Sequence, residues 1–249
     1  MDEYDAGTYG ERIAGTYDDW YRDDHAYMGP PSATVAFLKE LAGDGPALEL
    51  GIGTGRVAIP LQEAGVDVQG IDASHAMIAK LRQKPGGDRI PVVMGDFADF
   101  ALETRFRLIY VPFNTFFGLL TQDDQISCLR AVARHLTEDG AFVAELFVPD
   151  LSRFDRGQRV AAMDVGIDEV RLDVTQSDPV AQTTTNQHVV IREEGVRLFP
   201  VRIRFAYVAE LDLMAKVAGL RLRERFADWD RTPFGSGSQK HISVFELDR

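Results

Sequence analysis

The stretch over residues 46–56, Pro-Ala-Leu-Glu-Leu-Gly-Ile-Gly-Thr-Gly-Arg, constrains the fold of this chain more than any other. A short apolar segment runs into glycines at alternate positions, and a helical pattern begins at Val57. Glycine lets the backbone turn sharply and lets a ligand approach it closely. The first turn of a helix adds N–H groups that can hold a ligand. The stretch predicts a strand, a glycine turn and a helix that together form a nucleotide-shaped site, or an ordinary glycine turn of an α/β protein.

Two features distinguish this stretch from the dinucleotide fingerprint G-x-G-x-x-G. The glycines follow the spacing G-x-G-x-G, and Arg56 stands where the third dinucleotide glycine would be. Glu49 lies two residues before the first glycine, where its carboxylate would repel a pyrophosphate but suit a positively charged ligand. Both features disfavour an NAD-dependent oxidoreductase, although the glycine run by itself leaves that interpretation open.

Further acidic residues follow the next two predicted strands. Asp72 ends an apolar segment that begins at Val66, and a carboxylate there can accept both hydroxyls of a ribose. Its alternative role is to cap the next helix, but Ser74 is already a good capping residue. The triplet Gly95-Asp96-Phe97 follows a third apolar segment. Asp96 could accept an adenine amino proton and Phe97 could stack beside the ring, or the two could be a turn residue and a core residue.

The joint occurrence of these motifs resembles the class I S-adenosylmethionine (SAM) dependent methyltransferases. The segment from Asp72 to Met77 is similar to the family pattern D-x-S-x-x-M, in which the methionine flanks adenine. The resemblance covers residues 45–150 well and the rest of the chain by layout only. It implies SAM as cofactor and a set of binding residues that follow the first four strands: Glu49, Gly51, Gly53, Gly55, Asp72, Ala73, Met77, Gly95, Asp96, Phe97 and Phe113.

The N-terminal region, residues 1–28, is acidic and aromatic. Tyr9, Ile13 and Tyr17 recur at helical spacing, which predicts an amphipathic helix over residues 11–21. Such an aromatic stripe commonly packs on the core. The resemblance to small-molecule methyltransferases implies instead a lid over the SAM pocket, with Tyr17 and Tyr21 among the cofactor-binding residues.

Alternating strand and helix patterns predict a doubly wound, Rossmann-like α/β sheet of seven strands, closed by an antiparallel pair near residues 220–226 and 241–247. Residues 158–208 alternate apolar and polar side chains, which predicts three or four antiparallel strands inserted before the last helix. We expect one methyltransferase domain over residues 1–249. Its predicted parts are lid helices (1–44), a SAM-binding core (45–150) and an insertion over the substrate pocket (158–208), which could also form a subunit interface.

The expected reaction moves a methyl group from SAM to nitrogen or oxygen of a small polar metabolite, by in-line displacement. The layout is similar to sugar N-methyltransferases of antibiotic pathways and to glycine-type N-methyltransferases. An amine acceptor needs no strong base, whereas a hydroxyl acceptor benefits from one. The catalytic candidates are Tyr9, His188 and His241, each of which also has a purely structural interpretation. Alternatives are non-methyl chemistry on the same fold, such as cyclisation, or a non-catalytic SAM-binding module.

Composition limits the partners. The net charge of −12 argues against nucleic acid, because the phosphate backbone would be repelled. Cys128 is the single cysteine, which excludes an internal disulfide framework and a thiolate metal cluster. The chain has neither a secretory leader pattern nor a long uncharged apolar run. We therefore expect a cytoplasmic protein with a small-molecule acceptor, no metal, no membrane partner, and a homodimer as its candidate assembly.

Overall fold

The computed structural model describes residues 4–21 and 31–249. The helices are α1 (Thr8–Ile13), α2 (Tyr17–Trp20), α3 (Pro31–Ala42), α4 (Ala58–Glu63), α5 (His75–Gln83), α6 (Gln122–His135) and α7 (Val208–Val217). The strands are β1 (Ala47–Leu50), β2 (Val68–Asp72), β3 (Val92–Met94), β4 (Phe106–Val111), β5 (Leu136–Phe147), β6 (Gln158–Val165), β7 (Glu169–Asp178), β8 (Thr183–Arg192), β9 (Gly195–Arg204), β10 (Leu220–Phe226) and β11 (Lys240–Leu247).

The main sheet has seven strands in the order β10-β11-β5-β4-β1-β2-β3. Both pairings of β11 are antiparallel, and the remaining pairings are parallel. The strand order reverses at β1, which lies between β2 and β4, and ligands of such sheets bind beyond the carboxyl ends of the strands at this point. The predicted doubly wound α/β sheet of seven strands is confirmed.

The core has one apolar cluster on each face of this sheet. The cluster on the α6 and α7 side contains Phe116, Phe142 and Leu211, all 0% exposed. The cluster on the α3 and α4 side contains Leu38 and Leu61, also 0% exposed. All four residues of β1 are buried, as expected for a parallel strand covered on both faces. This packing holds the carboxyl ends of β1, β2 and β4 in fixed positions.

The predicted insertion is a second sheet of four antiparallel strands in the order β6-β7-β8-β9. One of its faces packs on the N-terminal segment, where Val190 and Phe199 join a cluster with Ile13 and Trp20. Its C-terminal strand is tied to α6 and α7 by the buried Arg204, which donates to Gln125 Oε1 over 2.7 Å and to Glu210. The second sheet is thereby fixed against α1, α6 and α7.

The prediction of one helix over residues 11–21 is wrong. α1 ends at Ile13 and α2 begins at Tyr17. Gly15 lowers helix stability by about 1 kcal/mol relative to alanine, and the Thr16 hydroxyl donates to the Ile13 carbonyl oxygen, which favours the helix end there. The remainder of the predicted lid region, residues 1–3 and 22–30, lies outside the described residues. Among the helices described, none combines the length and apolar character needed to cross a membrane.

Candidate active site

The glycine turn after β1 takes a backbone shape that other residues adopt with difficulty. Gly51, Gly53 and Gly55 have φ values of 69°, 55° and 77°. A Cβ atom on Gly51 would lie 2.4 Å from a methyl group of Thr115. A Cβ atom on Gly53 would meet only the Gly51 carbonyl oxygen, at 3.9 Å. The turn is therefore closed toward Thr115 and leaves open space at Gly53, where a ligand can approach the backbone.

Glu49 is a buried carboxyl group beneath this turn, with 2% of its surface exposed. Its Oε2 accepts a 2.8 Å hydrogen bond from the Tyr110 hydroxyl. Burial raises the pKa of Glu49 to about 8, while the Tyr110 bond and the Arg56 charge oppose the rise. A buried carboxyl group whose pKa lies near neutral pH is typical of functional sites. A cation in the pocket would favour its ionised form.

Asp72 joins the glycine turn to the start of α5. Its Oδ2 accepts from the Gly53 amide over 2.7 Å, and its Oδ1 accepts from the Ser74 amide over 2.8 Å. Ser74 caps α5 as predicted, since its hydroxyl accepts from the Met77 amide. Asp72 thus accepts two backbone hydrogen bonds, and each carboxylate oxygen retains a further lone pair. Burial raises the pKa of Asp72.

The predicted adenine residues lie near the end of β3. Asp96 is exposed and accepts from the Ala98 amide over 2.9 Å, so it also makes a local turn. Phe97 is half-buried, 3.5 Å from where a Gly51 Cβ would stand, and Gly95 has open space at its Cβ position. Met77 is 4% exposed and packs under α1 in the cluster of Ile13. The Ala73 carbonyl faces Gly7 of the N-terminal segment.

A pocket lies between the glycine turn and the end of β4. It brings together five predicted residues, Tyr17, Glu49, Gly51, Gly53 and Phe113. Sequence reasoning missed its other lining residues, which are Ile52, Thr54, Arg56, Val57, Pro112 and Thr115. Arg56 could have been identified from the sequence as a pocket residue, because it directly follows the last glycine of the run. Its guanidinium lies 6.0 Å from the centre of the Phe113 ring.

Two carboxylates attach the N-terminal segment, one to the pocket residue Thr54 and one to the start of α5. Asp18 accepts from the Thr54 hydroxyl over 2.7 Å and from the Lys84 ammonium over 2.8 Å. Glu11 accepts from the Ser74 hydroxyl over 2.9 Å and from the Ala76 amide over 3.0 Å. The Ala76 bond is the main reason that the pKa of Glu11 is lowered. Both contacts join residues far apart in the chain.

Four predicted aromatic residues form one cluster over the pocket. The hydroxyls of Tyr9 and Tyr21 are 3.3 Å apart, and the rings of Tyr17 and Tyr21 are 4.7 Å apart between centres. Tyr21 contacts the edge of Phe113 with 5.1 Å between ring centres. Burial raises the pKa of all three tyrosines, so their hydroxyls stay protonated near neutral pH.

His188 and His241 differ sharply in their surroundings. His188 lies on β8 and faces the N-terminal segment. Its Nδ1 is hydrogen-bonded to Asp173, and the centre of its ring lies 5.8 Å from that of Trp20. His241 is 0% exposed and its Nδ1 is 2.8 Å from the Ser243 hydroxyl. Burial and the nearby Arg225 lower the pKa of His241 to about 3, so it stays neutral. The pocket lining does not include His241, which fits its structural interpretation.

Comparisons with known proteins agree with this geometry. Residues 47–140 match the family described as "Methyltransferase domain". The cypemycin N-terminal methyltransferase of a Streptomyces species is 30% identical over 202 residues, covering 80% of this chain and 82% of that protein. The CcbJ methyltransferase structure from Streptomyces caelestis superposes with a TM-score of 0.92 at 42% identity, covering 99% of this chain and 100% of that one.

A more distant structure has the same fold. The SAM-bound CalS10 amino pentose methyltransferase from Micromonospora echinaspora has a TM-score of 0.72 at 19% identity, covering 93% of this chain and 97% of that one. Similarity to both enzymes extends beyond the 94 residues of the matched domain, and similarity to the CcbJ enzyme includes the N-terminal segment and the second sheet. The chain therefore belongs to the class I SAM-dependent methyltransferases, and its cofactor is SAM.

Proposed function

We propose that the protein transfers a methyl group from SAM to a nitrogen or oxygen atom of a small polar metabolite. The observation that carries this proposal is the pocket at the carboxyl edge of β1 and β4, where a buried acid and an open glycine turn lie under a cluster of aromatic side chains. The cypemycin enzyme, named for methylation of an N-terminus, supports transfer to nitrogen in particular.

The residues of this edge fit SAM. Glu49 would pair with the ammonium of its amino-acid end and Arg56 with the carboxylate, because the two side chains lie in the same pocket. The open space at Gly53 admits the ligand, with Gly51 and Gly55 shaping the turn. Asp72 would accept the ribose hydroxyls through its remaining lone pairs. Four residues would surround the adenine, together with Phe97: Ala73, Met77, Gly95 and Asp96. When bound, SAM supplies a methyl group activated by a sulfonium.

The aromatic cluster orients the acceptor and excludes water from the pocket. Tyr9, Tyr17 and Tyr21 carry protonated hydroxyls, so they donate or accept hydrogen bonds and do not act as bases. Asp173 accepts from Nδ1–H of His188, which leaves the lone pair of Nε2 as the proton acceptor of the ring. We propose that His188 is the base that takes a proton from the acceptor, and that Tyr9 orients the acceptor. We leave His241 out, because it is buried elsewhere with a pKa near 3.

We also infer the roles of the parts around the pocket. The α1–α2 segment serves as a lid, the β6–β9 sheet roofs the acceptor site, and the whole chain acts as one domain. The ring of Trp20 contacts both His188 and Phe199, so α2 packs against the β6–β9 sheet, which supports this arrangement. We propose a homodimer through the other face of this sheet. That face carries a group of exposed apolar side chains on adjacent strands, which are Val174, Ile191, Val196 and Leu198.

Transfer of labelled methyl from SAM tests the proposed function. Protein and SAM are incubated with a panel of small amines and amino sugars, and label is followed into the acceptor. We expect transfer by the wild type and near wild-type transfer by H75Q, which changes a solvent-exposed histidine. H188Q should transfer little to a hydroxyl acceptor and should lose less with an amine, which needs no strong base. SAM binding without transfer to any acceptor would favour the non-catalytic alternative. Consumption of SAM with no methylated product would favour non-methyl chemistry.

A further inference from the structure

Glu145 is a buried carboxylate on β5 that lies behind the pocket and does not line it. It is 6% exposed. Its Oε2 accepts from the Phe113 amide over 2.9 Å. Its Oε1 accepts from Trp229 Nε1 over 3.1 Å and from the Lys240 ammonium over 2.9 Å. Three donors, one after β4 and two from the segment that leads into β11, therefore converge on one side chain.

The backbone that Glu145 holds has an unusual conformation. Phe113 and Asn114 have φ values of 51° and 62°. Asparagine tolerates this left-handed region, but a bulky residue such as phenylalanine seldom adopts it. Such a conformation persists only where surrounding contacts enforce it, and it occurs preferentially at functional sites.

Strand β5 supplies the contacts that enforce it. Besides the side-chain bond to Phe113, the Glu145 carbonyl oxygen accepts from the Asn114 amide over 2.9 Å. The Asn114 side chain in turn accepts from the Phe147 amide over 2.7 Å. The Glu145 carboxylate is the part of this set that acts on Phe113 itself.

The direction of the Phe113 ring depends on this backbone. The ring lines the pocket, contacts Tyr21 and lies beside Arg56. At a negative φ the same side chain would leave the chain in another direction and open this wall of the pocket. Trp229 and Lys240 extend these contacts to the segment that leads into β11, whose first residue is Lys240.

We propose that Glu145 is a positioning residue of the SAM pocket, which acts by holding Phe113 in its left-handed conformation. The inference rests on the proposed assignment of this pocket to SAM. It also gives the segment from Trp229 to Lys240 an influence on the pocket, through the two hydrogen bonds that this segment donates to the same carboxylate.

A double-mutant cycle on the Kd of SAM, measured by calorimetry, tests this role. In E145Q the side chain keeps a single acceptor oxygen, which faces the Lys240 ammonium and Trp229 Nε1 because these two donors include a charge. The NH₂ group then faces the Phe113 amide, which loses its acceptor. We expect about tenfold weaker SAM binding in E145Q, but less than about a twofold further change when E145Q is added to F113G, which has neither ring nor strain. An equal loss in both backgrounds, or no loss at all, would overturn the proposal.

A second readout needs no ligand. The Phe113 amide is protected by Glu145, so its hydrogen exchange should accelerate at least several-fold in E145Q. E246Q serves as control, because Glu246 is a more exposed carboxylate paired with Arg221 on the same sheet. If the wild type bound no SAM, the pocket assignment would fail while this measurement still tested Glu145. Unchanged exchange in a folded E145Q protein would overturn the positioning role.

Discussion

At the scale of single residues, Glu49 makes stability depend on pH. Its pKa is about 8 in the folded chain and near 4.5 when unfolded, so the folded state binds more protons between these values. Stability should therefore fall as pH rises from about 5 to 8. In urea titrations without ligand, E49Q should gain stability relative to wild type over this range, by up to about 4 kcal/mol. The control variant E138Q changes a solvent-exposed carboxylate and should show no such dependence on pH.

Gly53 allows a second residue-scale test. G53A should place a methyl group in the open space of the turn and weaken SAM binding at least about tenfold. G43A is a matched control, because Gly43 also has a φ of 55° and open space around it, but lies in the turn before β1. Both variants should lose similar stability, roughly 1 kcal/mol. Equal SAM affinities in the two would contradict a ligand site at Gly53.

At the scale of elements, the attachment of α1 and α2 depends on two carboxylates. D18A removes the partner of Thr54 and Lys84, so the segment over residues 8–21 should detach more often. We expect hydrogen exchange in α2 to accelerate several-fold while exchange in β1 and β4 stays unchanged. D99A, which breaks an exposed ion pair with Arg134, is the control. Acceleration spread evenly over the whole chain would contradict a separately attached lid.

The elements show what could be predicted from sequence. The turn after β1 could be predicted, because the strand, the glycines and the start of the next helix follow one another within residues 47–58. The capping of α5 by Ser74 is similarly local. The hydrogen bond between Asp18 and Thr54 spans 36 residues, and that between Glu145 and Trp229 spans 84. No periodic pattern in the sequence indicates either bond, so neither could be predicted. The helix over residues 11–21 was mispredicted because its aromatic spacing outweighed Gly15.

At the scale of the whole molecule, the net charge of −12 makes two copies repel unless their contact avoids carboxylates. The outer face of the β6–β9 sheet offers such a contact around Leu172, Val189 and Leu198, which are paired across three strands. Light scattering should give a dimer for the wild type and a monomer for L198D. R223D, on the distant β10, should remain dimeric. A monomeric wild type, or a dimeric L198D, would contradict this interface.

Calorimetric titration of SAM into the wild type and two matched variants tests the central claim most directly. Asp72 ends β2 beside the glycine turn, whereas Asp67 is exposed and directly precedes the first residue of the same strand. Micromolar SAM binding by wild type and D67N, weakened at least about tenfold in D72N, is the result that the account predicts. Equal binding by all three proteins would place SAM elsewhere, and no binding by any of them would contradict the account.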